Sequence, residues 1–133
     1  MRDLVHRRAW LAVGRLGISL AIVLSLVPLP AAPIEIEQGD KLGHFAAYFA
    51  LTLWYAQLVA TPRELAWRAL AFALMGLALE GLQSLTGWRH GNDPLDALAN
   101  VAGTAGGFVI GLTPARGLLV ALEQRLRQRP APR

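Results

Sequence analysis

Four apolar runs, each about twenty residues long, take up most of a chain of 133 residues. They extend from about Trp10 to Leu29, Leu42 to Ala60, Leu65 to Leu85, and Leu95 to Thr113. A helix needs ~20 largely apolar residues to cross a hydrocarbon core ~30 Å thick, and each run is close to that length. Inside a bilayer no water is available to satisfy peptide groups, so a spanning segment must be a helix or belong to a closed barrel. No barrel-like alternation is visible. The pattern therefore implies an all-α chain: an integral membrane antiparallel bundle of four transmembrane helices. The short connections, 30–41, 61–64 and 86–94, make successive helices antiparallel neighbours.

Composition agrees. Hydrophobic residues make up 54% of the chain, charged residues only 17%, and the mean hydropathy is +0.39. There is no cysteine, which excludes disulfides and thiolate metal sites. The net charge of +4 does not point to nucleic acid, because the basic residues lie at the ends and turns and no nucleic-acid module is present. Their distribution instead gives an orientation. Arg2, Arg7, Arg8, Arg15, Arg63, Arg68, Arg116, Arg125, Arg127, Arg129 and Arg133, eleven of the thirteen Lys and Arg residues, fall on one side. Lys41 and Arg89 fall on the other, with Glu35, Glu37, Asp40 and Asp93. By the positive-inside rule both termini are cytoplasmic.

Arg15 lies near the cytoplasmic end of its run, and its long stem can reach the interface. Trp10, Trp67 and Trp88 mark span ends and read as interfacial anchors, whereas Trp54 lies deeper. The basic start suits a secretory signal, but the run is long for one and Pro30-Ala31-Ala32-Pro33 is a poor cleavage site, so it is read as a span. Residues 1–113 form the membrane domain. Residues 114–133 follow as a cytoplasmic segment in which Leu118, Leu119, Leu122 and Leu126 recur at helical spacing, a short amphipathic helix for the anionic leaflet with a Pro-rich basic tail.

The polar residues inside the apolar runs are the functional signal. An ionisable group at the bilayer centre costs about 2.5–3.5 kcal/mol on insertion scales, so such groups are rarely idle. Asp40, His44 and Tyr48 recur every fourth residue and share one helix face. Glu80 and Gln83 share a face of the third span. Asp96 and Asn100 share a face of the fourth, with the small-residue stripe Gly103, Gly107 and Gly111 beneath them, which admits a closely packed neighbour. Asp93-Pro94 reads as an N-cap followed by proline at the first helical position, and Asp40 also suits a capping role. All of these groups lie near the same ends of their spans. The geometric expectation is that His44, Glu80, Asp96 and Asn100 meet in one pocket between the second, third and fourth helices. No HExxH, phosphate loop or GxSxG elbow is present, so no metal or cofactor is expected.

The elements Asp40-Lys41-x-x-His44-x-x-x-Tyr48, Glu80-x-x-Gln83, Arg89, and Asp96-x-x-x-Asn100-x-x-Gly103-x-x-x-Gly107 together resemble the VanZ-like family of bacterial membrane proteins. The match covers residues 40–107. It implies a small multi-pass protein of the bacterial cytoplasmic (inner) membrane and cell envelope. The family's namesake is linked to teicoplanin resistance, so a relation to glycopeptide antibiotic resistance is implied by resemblance alone.

Three functions follow from the residues. In the first, Lys41, His44 and Arg89 contact the phosphate or carboxylate of a polar or anionic headgroup at the outer leaflet, positioned by Glu80, Gln83, Asp96 and Asn100, with Asp40 and Tyr48 also among the binding residues. Membrane lipids, including a lipid-linked cell-wall precursor, are the expected partners. In the second, His44 exchanges protons with Glu80 or Asp96 in an intramembrane hydrolase or transferase. In the third, the same residues are interhelical hydrogen bonds only.

Overall fold

The computed structural model describes residues 4–27, 39–86 and 93–128. These form five α-helices and one 3₁₀ turn: α1 (Arg7–Leu26), α2 (Gly39–Leu58), α3 (Pro62–Thr86), α4 (Pro94–Gly111), the turn Pro114–Gly117, and α5 (Leu118–Arg127). Trp88, Arg89 and the segment Pro30-Ala31-Ala32-Pro33 lie outside the described residues.

Local chemistry sets the helix starts. Pro62 opens α3 just after Thr61, whose hydroxyl accepts from the Glu64 amide at 3.1 Å, while the Glu64 carboxylate accepts from the Ala60 amide at 2.9 Å. This is a reciprocal cap of the Thr-x-x-Glu kind. Asp93 caps α4 as its residue type and the following proline indicate, its carboxylate accepting from the Leu95 amide at 2.9 Å. Asp40 does not act in that way. It lies inside the first turn of α2 and accepts from the adjacent Lys41 amide at 2.9 Å.

α2 is the centre of the bundle and touches every other helix. Its largest interface is with α4, and the two run in the same direction. His44, Phe45, Phe49, Thr52 and Ala56 of α2 meet Asn100, Gly103, Gly107 and Gly111 of α4 in matching order. A Cβ at Gly103 would collide with the Phe45 carbonyl, and one at Gly107 would lie 2.6 Å from the Phe49 carbonyl oxygen. The absence of side chains on this stripe is what permits the approach. α1 and α3 run the other way. Tyr48, Leu51, Tyr55, Leu58, Phe72 and Leu119 form the main core, with the Tyr55 and Phe72 rings edge to face at 5.2 Å.

Much apolar surface faces outward, including Leu16, Leu20 and Val23 of α1, Leu70, Leu74 and Leu77 of α3, and Val109 of α4. Only 11% of the apolar window of α1 is buried in the bundle. Soluble monomers seldom expose so continuous an apolar surface. By length and apolarity two helices can cross a membrane, Arg7–Leu26 and Pro62–Leu85, with a third span if α4 and the segment Pro114–Arg127 count as one path bent by 74°. The expectation of four transmembrane helices is met at two helices, or three with the bent path, and not at four. α2 carries Asp40, Lys41, His44 and Gln57, and α4 carries Asp96 and Asn100 within only 18 residues. Helices packed inside a bundle can turn such groups toward protein, and apolarity alone then fails to mark them.

α5 folds back onto the start of α1. The α1 terminus has no side-chain cap of its own sequence. Glu123 supplies one, accepting from the Val5 amide at 2.7 Å, the His6 amide at 3.0 Å and the Trp10 indole at 2.7 Å. Trp10 is thus tied to protein and stacks edge-on against Trp54 at 5.9 Å. The leucine stripe of α5 divides: Leu119 is buried against the core, while Leu118, Leu122 and Leu126 stay exposed. Gln57 joins α2 to the same corner, donating to the Ala115 carbonyl at 3.0 Å and accepting from the Leu119 amide at 3.2 Å. Both ends of the described chain therefore lie at one end of the bundle.

Candidate functional site

The polar groups gather at the opposite end, in tiers set by the helix repeat. Asp40, His44 and Tyr48 descend one face of α2 in steps of about 6 Å. Asp93, Asp96 and Asn100 descend α4 beside them, because the two helices run parallel and in register.

Lys41 ties the top tier together. Its ammonium lies 2.7 Å from Asp93 Oδ2, 3.5 Å from Asp40 Oδ2 and 3.7 Å from Asp96 Oδ1. The Lys41 ammonium, and then the Leu95 amide, hold the Asp93 carboxyl below the usual carboxylate range. One tier down, His44 Nδ1 lies 3.0 Å from Asn100 Oδ1 and Nε2 lies 3.9 Å from Asp96 Oδ2. Asn100 is 1% exposed. It packs against Gly76 of α3, where a Cβ would sit 2.9 Å from the Asn100 Cβ and 3.2 Å from the Tyr48 ring. Glu80 lies one turn farther along that face of α3, buried at 6% exposure. The helix register thus places Glu80 at the depth of His44 and Asp96.

One sequence expectation comes out differently. Gln83 turns toward α1, where its side-chain amide donates to the Ser25 carbonyl. Among the described residues, a cavity of about 270 Å³ at this end opens between α1 and α2, lined by Ser25, Asp40, Gly43, His44 and Tyr48 among others. Arg89 lies outside the described residues, so its relation to the cluster is not described. Among the described residues no group of three His, Asp or Glu side chains is arranged to hold a metal ion.

Ser25, Gln57 and Glu123 are the polar residues that sequence reasoning passed over. For Glu123 a signal existed: it is the one acidic residue in 114–133, a segment whose five arginines and three prolines otherwise give a basic tail. For Ser25, whose backbone carbonyl does the work, there was none.

Chemically, the arrangement offers a carboxylate at the rim, an imidazole one turn below and a phenol two turns below, beside a cavity open enough for a small polar group. Comparison of the chain with protein families, with curated proteins and with solved structures finds no match in any of the three.

Proposed function

We propose that this chain is a VanZ-like membrane protein of the bacterial cell envelope that binds the polar headgroup of a lipid at the α2–α4 end cluster. In this reading α1 to α4 all cross the cytoplasmic membrane. The cluster faces the outer leaflet, and both termini and α5 lie on the cytoplasmic side. A lipid-linked cell-wall precursor is a suitable ligand class, and any bearing on glycopeptide resistance rests on the resemblance alone.

The observation that carries the reading is the gathering of Asp40, Lys41, His44, Asp96 and Asn100 at one end of an otherwise apolar bundle, next to a cavity. Holding such groups in a membrane is costly unless they are used or fully paired. Among the described residues the Tyr48 hydroxyl is buried without a hydrogen-bond partner, so pairing alone does not account for it. The split of basic residues supports the orientation, and a reporter fused after Arg89 should read as external; a cytoplasmic signal there rejects it.

Native mass spectrometry of the purified chain tests the binding. Lipid should remain bound to the wild type and be lost from a Lys41→Ala, Arg89→Ala double variant. Equal retention by both rejects the reading. The 3.9 Å approach of His44 to Asp96 supports a second reading, an intramembrane hydrolase or transferase using that pair. It requires the bound lipid to be converted during incubation and His44→Gln to stop the conversion; recovery of intact lipid rejects it.

A further inference from the structure

Building on the headgroup reading, we propose that the α1–α2 cavity holds a phospholipid bearing a primary amine, with its ammonium on Asp40 at the rim and the Tyr48 hydroxyl donating to the ester region below.

The cavity has the right size and depth. At about 270 Å³ it falls just under the range of pockets for drug-sized ligands, which suits a headgroup and glycerol unit with the acyl chains left outside. Its walls are small or apolar: Ala21, Leu24, Gly43 and Ala47 line it. A Cβ at Gly43 would meet no atom within 4 Å, so the space beside it is open. Asp40 and Tyr48 stand about 12 Å apart along the helix. The interfacial zone of a bilayer is roughly 5–8 Å thick on each side. With Asp40 at the outer edge of the headgroups, the Tyr48 backbone lies roughly 4–7 Å below the hydrocarbon boundary, within a tyrosine side chain's reach of the ester carbonyls there.

The hydroxyl is the independent sign of a ligand. Tyr48 is 2% exposed and lines the cavity, and among the described residues its hydroxyl has no hydrogen-bond partner. Buried hydroxyls are nearly always satisfied. An ester carbonyl is an acceptor suited to a phenol donor.

Charge selects the amine. Lys41, the basic neighbour of Asp40 on α2, is shared with Asp93 and Asp96. Lys41 sits closest to Asp93, at 2.7 Å, and Asp40 lies 3.5 Å away with its side chain half exposed. The Asp40 carboxylate is thus available for a charge-assisted hydrogen bond, which a primary ammonium can donate and a quaternary one cannot.

The test uses the full chain in detergent with phosphatidylethanolamine, phosphatidylcholine or phosphatidylglycerol of identical acyl chains, read by native mass spectrometry and by thermal stabilisation. Wild type should retain the ethanolamine lipid about tenfold better than the other two, as one charge-assisted hydrogen bond implies. Asp40→Asn should erase that preference. Gly43→Leu, which fills the open space without a clash at its Cβ, should abolish retention of all three. Tyr48→Phe should weaken retention about threefold to tenfold while leaving the lipid-free melting point unchanged or higher; a purely structural hydroxyl would lower that melting point. Soluble phosphoethanolamine should fail to displace the lipid, and displacement would overturn the lipid as source. Equal retention of the three headgroups, lost in Gly43→Leu, overturns the amine and leaves the headgroup reading standing. Retention untouched by Gly43→Leu and by the Lys41→Ala, Arg89→Ala variant overturns both.

Discussion

Replacing Gly107 by alanine should loosen the bundle along its tightest seam. The added Cβ would lie 2.6 Å from the Phe49 carbonyl oxygen and 2.8 Å from the Thr52 Cβ, where ordinary contact begins at 3.4 Å. Both neighbours are stiff, one being backbone and the other a side chain locked by the Thr52 hydroxyl donating to the Tyr48 carbonyl at 2.8 Å. α2 must therefore withdraw by about 0.8 Å, the difference between 3.4 and 2.6 Å. A gap of that size forfeits a quarter to a half of each dispersion contact it opens; over roughly twenty atom pairs at ~0.15 kcal/mol each, the loss is about 1 kcal/mol. Residual overpacking strain brings the expected cost to about 1–3 kcal/mol. Gly81→Ala is the control: nothing lies within 4 Å of its Cβ, so only the gain in helix propensity, up to ~1 kcal/mol, remains. Thermal unfolding in mild detergent should move the two variants in opposite directions. If Gly107→Ala is as stable as Gly81→Ala, the close parallel packing of α2 on α4 is wrong.

Glu123 should make stability depend on acid pH. Burial pushes its carboxyl up, but the Trp10 indole and the His6 and Val5 amides outweigh this and bring it from 4.5 down to about 2. A carboxyl depressed in the folded state stabilises fully above its unfolded value and loses that contribution as pH falls toward the folded one. The melting-point gap between wild type and Glu123→Gln should be full at neutral pH and close between pH 4.5 and about 2; a gap independent of pH contradicts the assignment. Asn100→Ala removes the partner of His44 and should cost about 0.6–2 kcal/mol in detergent unfolding, the range of a buried interhelical hydrogen bond. An unchanged melting point would show that the 3.0 Å contact carries no weight.

Helix positions and shared faces were legible in the sequence, because they depend on the spacing of residues within one segment. Asp93-Pro94 located the start of α4, and the four-residue steps from Asp40 to Tyr48 and from Asp96 to Asn100 placed those groups together. Partners across helices were not legible. The glycine stripe announced a close neighbour, but nothing in its spacing says that the neighbour is α2 running parallel. Gln83 shares a face with Glu80, yet reaches the α1 backbone, since long side chains choose partners by distance in space. The count of apolar spans failed at α2 and α4 for a related reason: interior helices keep polar groups that hydropathy penalises. The fold-back of α5 onto α1 depends on one carboxylate meeting backbone amides more than a hundred positions away, a contact that leaves no periodic trace.

A lipid headgroup held at the polar end of the bundle, beside α1 and α2, must lie within bonding distance of the residues that line it. A phospholipid carrying a photoreactive group in its headgroup, irradiated with the protein in bilayers, tests this by the positions of the cross-links. Cross-links should fall on Ser25 and on Gly39 through Tyr48, and should be lost in Gly43→Leu while labelling elsewhere persists. Cross-links on those residues at equal yield in wild type and Gly43→Leu would contradict it.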